Sequence, residues 1–180
     1  MNIKGNAVVL TNGKFNSKSA KTAHGLIRGS KRFNVVAVID NSFSEKYVHI
    51  DKNGKIDLLD SVSDIPIFKD INSFLQSSLK VDYCIIGVAS AGGLLPDEMR
   101  GDVILSLKNG ISIINGLHSI LNEDEELVKI SNQYNTEIFD IRASRPRNEL
   151  SFWSGKIHEV KVPKIVVLGT DCGLGKRTTA

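Results

Sequence analysis

The run Tyr83-Cys84-Ile85-Ile86-Gly87-Val88-Ala89, with the glycine turn after it, constrains the fold of this chain more than any other stretch. It is apolar and rich in β-residues, and it closes on Ser90-Ala91-Gly92-Gly93, so it reads as a strand ending in a tight turn. Pro96 then opens a helix to about Lys108, where Asn109-Gly110 marks the stop. Strand, glycine turn and helix in this order form one unit of an α/β fold, and the rest of the chain repeats it.

Ala7-Val8-Val9-Leu10 is a first strand closed by Thr11-Asn12-Gly13, and Ala20 to Ile27 comes next as a helix with Ala23, Leu26 and Ile27 inward. Asn34 to Ile39 is a second strand ended by Asp40. Tyr47–Ile50 and Lys55–Leu58 alternate around the Asn53-Gly54 turn and suggest a hairpin. Ile65-Pro66-Ile67 is expected at a sheet edge, where proline is tolerated. Asp70 is an N-cap for a helix over 71–79. Ile111–Ile114 and Glu137–Ile141 are further strands, separated by a helix from about Asp124 to Tyr134 with acidic residues in its first turn. The fold class is therefore α/β: a Rossmann-like, doubly wound and mostly parallel sheet.

The last stretch differs in kind. Ile165-Val166-Val167-Leu168 reads as a buried strand, continued by Gly169-Thr170-Asp171-Cys172-Gly173-Leu174-Gly175-Lys176-Arg177-Thr178. Glycines let backbone N–H groups converge on a phosphate while a lysine reaches its far end. The strict P-loop pattern would put glycine at Thr170 and a hydroxyl at Arg177. Here glycine stands at Gly169 and the nearest hydroxyl is Thr178. The sequence closes at Ala180, before a helix completes a hydrogen-bonded turn, and the expectation is the front part of a longer protein. The chain thus divides into three segments: a Rossmann-like domain over 1–145, a linker over 146–163 around Arg145-Pro146-Arg147-Asn148, and the truncated start of a P-loop domain over 164–180. Ile157–Val162 is expected as a short strand within the linker.

Composition narrows the partners. A formal charge of +3, spread along the chain, gives nucleic-acid binding little support. No apolar run suits a signal peptide or a bilayer span, so no membrane partner and a cytoplasmic location are expected. Cys84 and Cys172 suggest neither a disulfide framework nor a zinc cluster. A homo-oligomer is compatible with the sequence.

Ligands of open parallel sheets bind beyond the carboxyl ends of the strands. Asn12-Gly13-Lys14, Ser90-Ala91-Gly92-Gly93, Asn115-Gly116-Leu117-His118, and Asp140 with Arg142 all fall there. Ser90, Gly92, Gly93, Asn115 and His118 are the candidate substrate-binding residues. Glycines that merely shape turns are the competing explanation. His118 is the candidate catalytic base, because histidine can exchange protons at neutral pH. A structural histidine is its alternative, and His24 and His49 have less in their favour. A dinucleotide site is disfavoured: the remaining glycines of the G-x-G-x-x-G pattern are missing after Gly13, although Asp40 stands where a ribose-binding acid would.

Taken together, Lys21-Thr22-Ala23-His24-Gly25-Leu26-Ile27-Arg28, Val36–Asp40, Gly87–Pro96, Gly116-Leu117-His118 and Gly169-Thr170-Asp171-Cys172 with Gly175-Lys176 resemble a two-domain family with a Rossmann-like N-terminal and a P-loop C-terminal domain. It was long labelled a domain of unknown function and includes D-glutamate (D-amino-acid) N-acetyltransferases. The resemblance implies an enzyme that moves an acetyl group from acetyl-CoA to a small-molecule amino substrate. The loop Gly169, Thr170, Asp171, Cys172, Gly173, Gly175, Lys176, Arg177 and Thr178 would hold phosphates of coenzyme A, and the resemblance implies Thr178 as the candidate metal ligand. The Gly-Thr-Asp-x-x-x-Gly-Lys run is also similar to dethiobiotin synthetase, which makes ATP with Mg2+ the alternative cofactor and an ATP-dependent ligase the alternative function. A non-catalytic ligand-binding domain is the third reading. The stretch 1–180 alone is expected to be inactive.

Overall fold

The computed structural model describes residues 3–43, 46–60, 64–143, 149–163 and 165–170. It divides into two compact units, Met1–Ala143 and Ser144–Ala180. The first contains β1 (Gly5–Leu10), α1 (Lys21–Arg28), β2 (Phe33–Ile39), β3 (Tyr47–Ile50), β4 (Ile56–Leu59) and β5 (Ile65–Phe68). It continues with α2 (Ile71–Leu75), β6 (Tyr83–Ile86), α3 (Asp97–Lys108), β7 (Ser112–Asn115), α4 (Glu125–Gln133) and β8 (Ile138–Asp140).

These strands form an 8-stranded sheet in the order β4-β3-β5-β2-β1-β6-β7-β8. From β5 to β8 every pairing is parallel. With the hairpin set aside, β5-β2-β1-β6-β7-β8 is the doubly wound order of a Rossmann fold, with its switch point between β1 and β6. The antiparallel hairpin β3–β4 extends the sheet beyond β5.

Successive side chains of a strand point to opposite faces, so each apolar run divides the core. Val8, Leu10, Ile39, Cys84, Ile86 and Ile113 face one side, where they meet Phe74 of α2, Met99, Val103 and Leu107 of α3, and Leu127 of α4. Val9 faces the other side, against Ala20 and Ala23 at the start of α1. The hairpin closes its own pocket of core from Phe15, Ile27, Val38, Val48 and Ile67. Cys84 is fully buried, and that burial pushes its thiol up to about 12, as befits an inert core residue.

Helix termini obey their caps. Asp70 accepts from Ser73 N at 2.8 Å, and Asp124 accepts from both Glu126 N and Leu127 N at 3.1 Å. Arg100 forks onto Asp124 and reaches Glu126, tying α3 to α4; that guanidinium holds the Asp124 carboxyl below its ordinary range. The α2 helix ends at Leu75, earlier than the expected Leu79, with Gln76 and Ser77 N–H groups turned onto Asn72 and Phe74 carbonyls.

Three expectations are corrected. β5 is an interior strand, between β3 and β2. Pro66 is tolerated because strand N–H groups alternate in direction. Ile67 N donates to Lys46 O on the β3 side, so the missing N–H of Pro66 points toward β2, where pairing starts only at Ile67. The expected strand over 157–162 is instead a 3-10 turn, Lys156–Glu159, entered through Gly155 at φ 72 with His158 N bonded to Gly155 O. Left-handed backbone at Gly155 reverses the chain and prevents extension. Finally, residues 165–168 belong to no strand, and Ile165 and Leu168 are 89% and 83% exposed. A strand is stable only as a member of a sheet, and no described strand pairs with this one.

Candidate functional site

The edge beyond the carboxyl ends of the strands has two parts of opposite character. At the switch point the crevice is filled. Asp40, fully buried, accepts from Thr11 Oγ1 at 2.7 Å, Phe15 N at 3.0 Å and Ser42 N at 3.0 Å. It clamps the loop after β1 to the end of β2. Across the crevice, Gly87 N donates to Leu10 O at 2.9 Å, Ala23 N to Gly87 O at 3.0 Å and Ala89 N to Ser19 O at 2.9 Å. The amide of Ala23 in the first turn of α1, a group that would face a pyrophosphate in a dinucleotide site, is thus engaged by protein. A Cβ on Gly87 would collide with the Val9 side chain and come within 3.0 Å of Ala23 Cβ, so β1, α1 and β6 meet here without a gap. The acid at the ribose position is a scaffold, and the switch point does not fit a dinucleotide.

One strand further along, the edge opens into a cleft of about 650 Å³. Ile86, Val88 and Leu117 give it an apolar floor; Ser90, Gly92 and Gly93 form one wall, Gly116 and His118 the other, with Thr22 and Arg142 at the mouth. Arg142 is the only permanently charged side chain in this lining, and no carboxylate joins it.

Local bonding explains the wall positions. Gly92 and Gly93 have φ values of 66 and 69, a left-handed pair that only glycines adopt without strain. Their turn lets the Gly93 carbonyl accept from both His118 N at 2.9 Å and Ser119 N at 3.0 Å. His118 lies so close over Gly93 that an added Cβ would stand 2.7 Å from His118 Cβ. Ser90 Oγ donates to Leu94 O, bracing the same turn. Arg142 Nη1 donates to His118 Nε2 at 3.1 Å. A guanidinium is donor only, so this nitrogen accepts and the ring proton sits on Nδ1.

Beneath the wall, Asn115 is fully buried. Its Nδ2 donates to Ser119 O and Asp140 Oδ1, both at 2.7 Å, and its Oδ1 accepts from Leu117 N at 2.9 Å. Asp140 also accepts from Leu121 N at 3.0 Å, and from Asn122 N at 2.9 Å and Asn122 Nδ2 at 2.7 Å. The loop that carries His118 is therefore held by side chains at the ends of β7 and β8. Ser119 Oγ is buried without a partner among the described residues.

Of the residues expected from sequence, the structure brings Ser90, Gly92, Gly93 and His118 into one cleft, and places Asn115 under it as a support. Asn12 is knitted to Asn41 at 3.1 Å instead of lining the cleft. His24 Nε2 donates to Phe15 O at 2.7 Å and His49 Nδ1 pairs with Asp64 at 2.6 Å, so both have local structural roles. Gly169 and Thr170 are described and exposed. Asp171, Cys172, Gly173, Gly175, Lys176, Arg177 and Thr178 lie outside the described residues. Thr22 and Arg142 are polar lining residues outside the substrate-binding candidates. Thr22 stands in the Lys21–Arg28 run that carries the family resemblance, but nothing in the sequence placed it at this cleft. Arg142 had a signal: a cation two residues past the end of β8, on the same edge as Gly92-Gly93.

Among the described residues no group of acidic, histidine or cysteine side chains could hold a metal ion, and no helix is long and apolar enough to cross a membrane. Comparison with known proteins agrees with this architecture. A D-glutamate N-acetyltransferase from Pseudoalteromonas sp is 33% identical over 96 residues, and one from Tritonibacter scottomollicae is 28% identical over 96 residues. Each match spans 53% of this chain but only 28% of the relative. The crystal structure of a DUF1611 family protein from Anabaena variabilis ATCC 29413 superposes with a TM-score of 0.74 at 27% identity, covering 98% of this chain and 48% of that one. Residues 51–144 match the Rossmann-like domain of unknown function DUF1611_N, and residues 151–180 match the P-loop domain DUF1611_C, so the chain belongs to the DUF1611 family.

Proposed function

We propose that the protein is an N-acetyltransferase acting on a D-amino acid such as D-glutamate, with acetyl-CoA as donor. The observation that carries this reading is the likeness to two D-glutamate N-acetyltransferases, 33% and 28% identical over 96 residues. The cleft beside β6, β7 and β8 supports it, because it has the size for a small molecule, and its one permanent charge suits an acidic amino acid. Acetyl-CoA supplies an activated acyl group, which an amine takes up as an amide with loss of the thiol. The protein's part is then to hold the amine side in the cleft and the phosphates at the glycine-rich loop around Lys176. That loop has the donors such phosphates need: backbone amides, the Lys176 ammonium and the Thr178 hydroxyl. Use of acetyl-CoA fits a cytoplasmic site of action.

The same loop favours a second reading, an ATP-dependent ligase in which Thr178 would hold Mg2+. One experiment on the full-length protein decides between them. Incubation with acetyl-CoA and D-glutamate is expected to release free thiol and give N-acetylglutamate by mass spectrometry. Phosphate release from Mg-ATP without any acetylated product would overturn the acetyltransferase in favour of the ligase. Binding of D-glutamate with neither product would leave a non-catalytic ligand-binding domain. In the acetyl-transfer assay, Lys176→Ala should raise the KM for acetyl-CoA about tenfold or more, the scale of one charge-assisted phosphate contact.

A further inference from the structure

The cleft contains a more specific recognition element than its size requires. Arg142 sits at its mouth with one N–H engaged by His118 Nε2 at 3.1 Å, which leaves the rest of the guanidinium fork for a ligand. His118 is itself fixed, by its amide on the Gly93 carbonyl and by the Asn115–Asp140 support beneath its loop. In this arrangement the Nε2 lone pair of His118 is engaged by Arg142. The apolar floor of Ile86, Val88 and Leu117 suits the methylenes of a short chain.

We propose that the cleft is a carboxylate-binding site in which Arg142 anchors a substrate carboxylate and His118 acts as the positioning residue for that guanidinium. The proposal rests on the reading of this cleft as the amino-substrate site. It extends that reading by assigning the anchor and by changing the role expected for His118 from base to support.

The test is calorimetric titration of the full-length protein with D-glutamate, with and without coenzyme A, alongside steady-state acetylation. Arg142→Met is expected to weaken D-glutamate binding about 10- to 100-fold, the range for loss of a charged hydrogen-bonded pair. KM should rise by the same factor while kcat changes less than about threefold. His118→Leu should weaken binding about tenfold. His118→Gln, whose amide oxygen can still accept from Arg142, should restore it to within about threefold of the parent. Loss of kcat in His118→Gln with KM unchanged would overturn the positioning role. The D-glutamate diamide, lacking both carboxylates, should bind parent and Arg142→Met equally weakly. Inorganic phosphate competing as well as D-glutamate would overturn the carboxylate assignment in favour of a general anion site. Unchanged D-glutamate affinity in Arg142→Met, or no binding by the parent in either condition, would also overturn it. Because Arg142 is exposed, Arg142→Met should fold normally. Binding that depends on Arg142 without acetylation would defeat the acetyltransferase reading and leave this one standing. Acetylation indifferent to Arg142 would do the reverse.

Discussion

The switch-point crevice and the cleft beside it occupy the same edge of the same sheet, yet one is closed and the other open. In the crevice the acid and the helix amide that a dinucleotide would use have protein partners: Asp40 has Thr11, Phe15 and Ser42, and the Ala23 amide has the Gly87 carbonyl. In the cleft the backbone is just as firmly bonded, through Gly93 and Asn115, but the side chains at the surface, Thr22 and Arg142, are left facing solvent. A Rossmann topology therefore names an edge for ligands without naming the position along it. What decides the position is where hydrogen-bonding capacity remains after the loops have been tied down.

That contrast can be broken by mutation, most forcefully in the closed part. Asp40→Ala leaves the buried Phe15 amide and the part-buried Ser42 amide without their acceptor, and the Thr11 hydroxyl with only the Ile39 carbonyl; a loss of ~3–5 kcal/mol is expected by denaturant melt. A loss under 1 kcal/mol would mean that the clamp is not what closes the crevice. Next is Gly93→Ala, where left-handed backbone and contact with His118 act together; a cost of ~2–3 kcal/mol is expected, together with weaker D-glutamate binding. Retained binding in that variant would show that the His118 wall is not part of the site. Ser119→Ala goes the other way. Removing a buried hydroxyl that has no partner should raise stability by up to ~1 kcal/mol, and a loss would reveal a partner for it in solution.

The smallest expected effect concerns pH. Arg100 lowers the Asp124 carboxyl below its unfolded value, so this pair adds stability that is complete above the ordinary aspartate range. The contribution is lost as pH falls through the lowered folded value. Asp124→Asn keeps an N-cap but removes the charge, and the pH dependence of its melting should be flatter than the parent's below about pH 4. Identical acid profiles would exclude Asp124 as a contributor.

Much of the fold was legible because the signals were local. Asp70, Asp124, Pro96 and Asn109-Gly110 mark helix ends through groups within a few residues, and the runs at 7–10, 34–39 and 83–86 are each short and apolar enough to read as buried strands. The failures were non-local. Nothing within Ile65-Pro66-Ile67 says that a hairpin will add outside it, and only the direction of the Pro66 nitrogen makes an interior place tolerable. The apolar character of 165–168 indicated a strand, but a strand depends on partners that its own residues do not specify. At the site, Gly92-Gly93 and His118 were visible as a turn and a strand-end histidine. The burial of Asn115, the clamp made by Asp40 and the alliance of Arg142 with His118 depend on loops 24 to 29 residues apart in sequence, and pattern reading has no access to those pairings.

The support under His118 has a dynamic consequence. Asp140, which holds the loop over 117–122, belongs to the three-residue strand β8, bonded on one side only among the described residues. Fraying of that short strand would release Leu121 and Asn122 and, through Asn115, loosen the Leu117 amide, while β1, β2 and β6 stayed paired. The cleft should therefore open by sub-global unfolding at a lower free energy than the sheet centre. In native-state hydrogen exchange, D-glutamate should slow the amides of Leu117, Leu121 and Asn122 well before it slows those of Val8 and Val9. Occupancy of the cleft would then be read out at the far rim of the sheet.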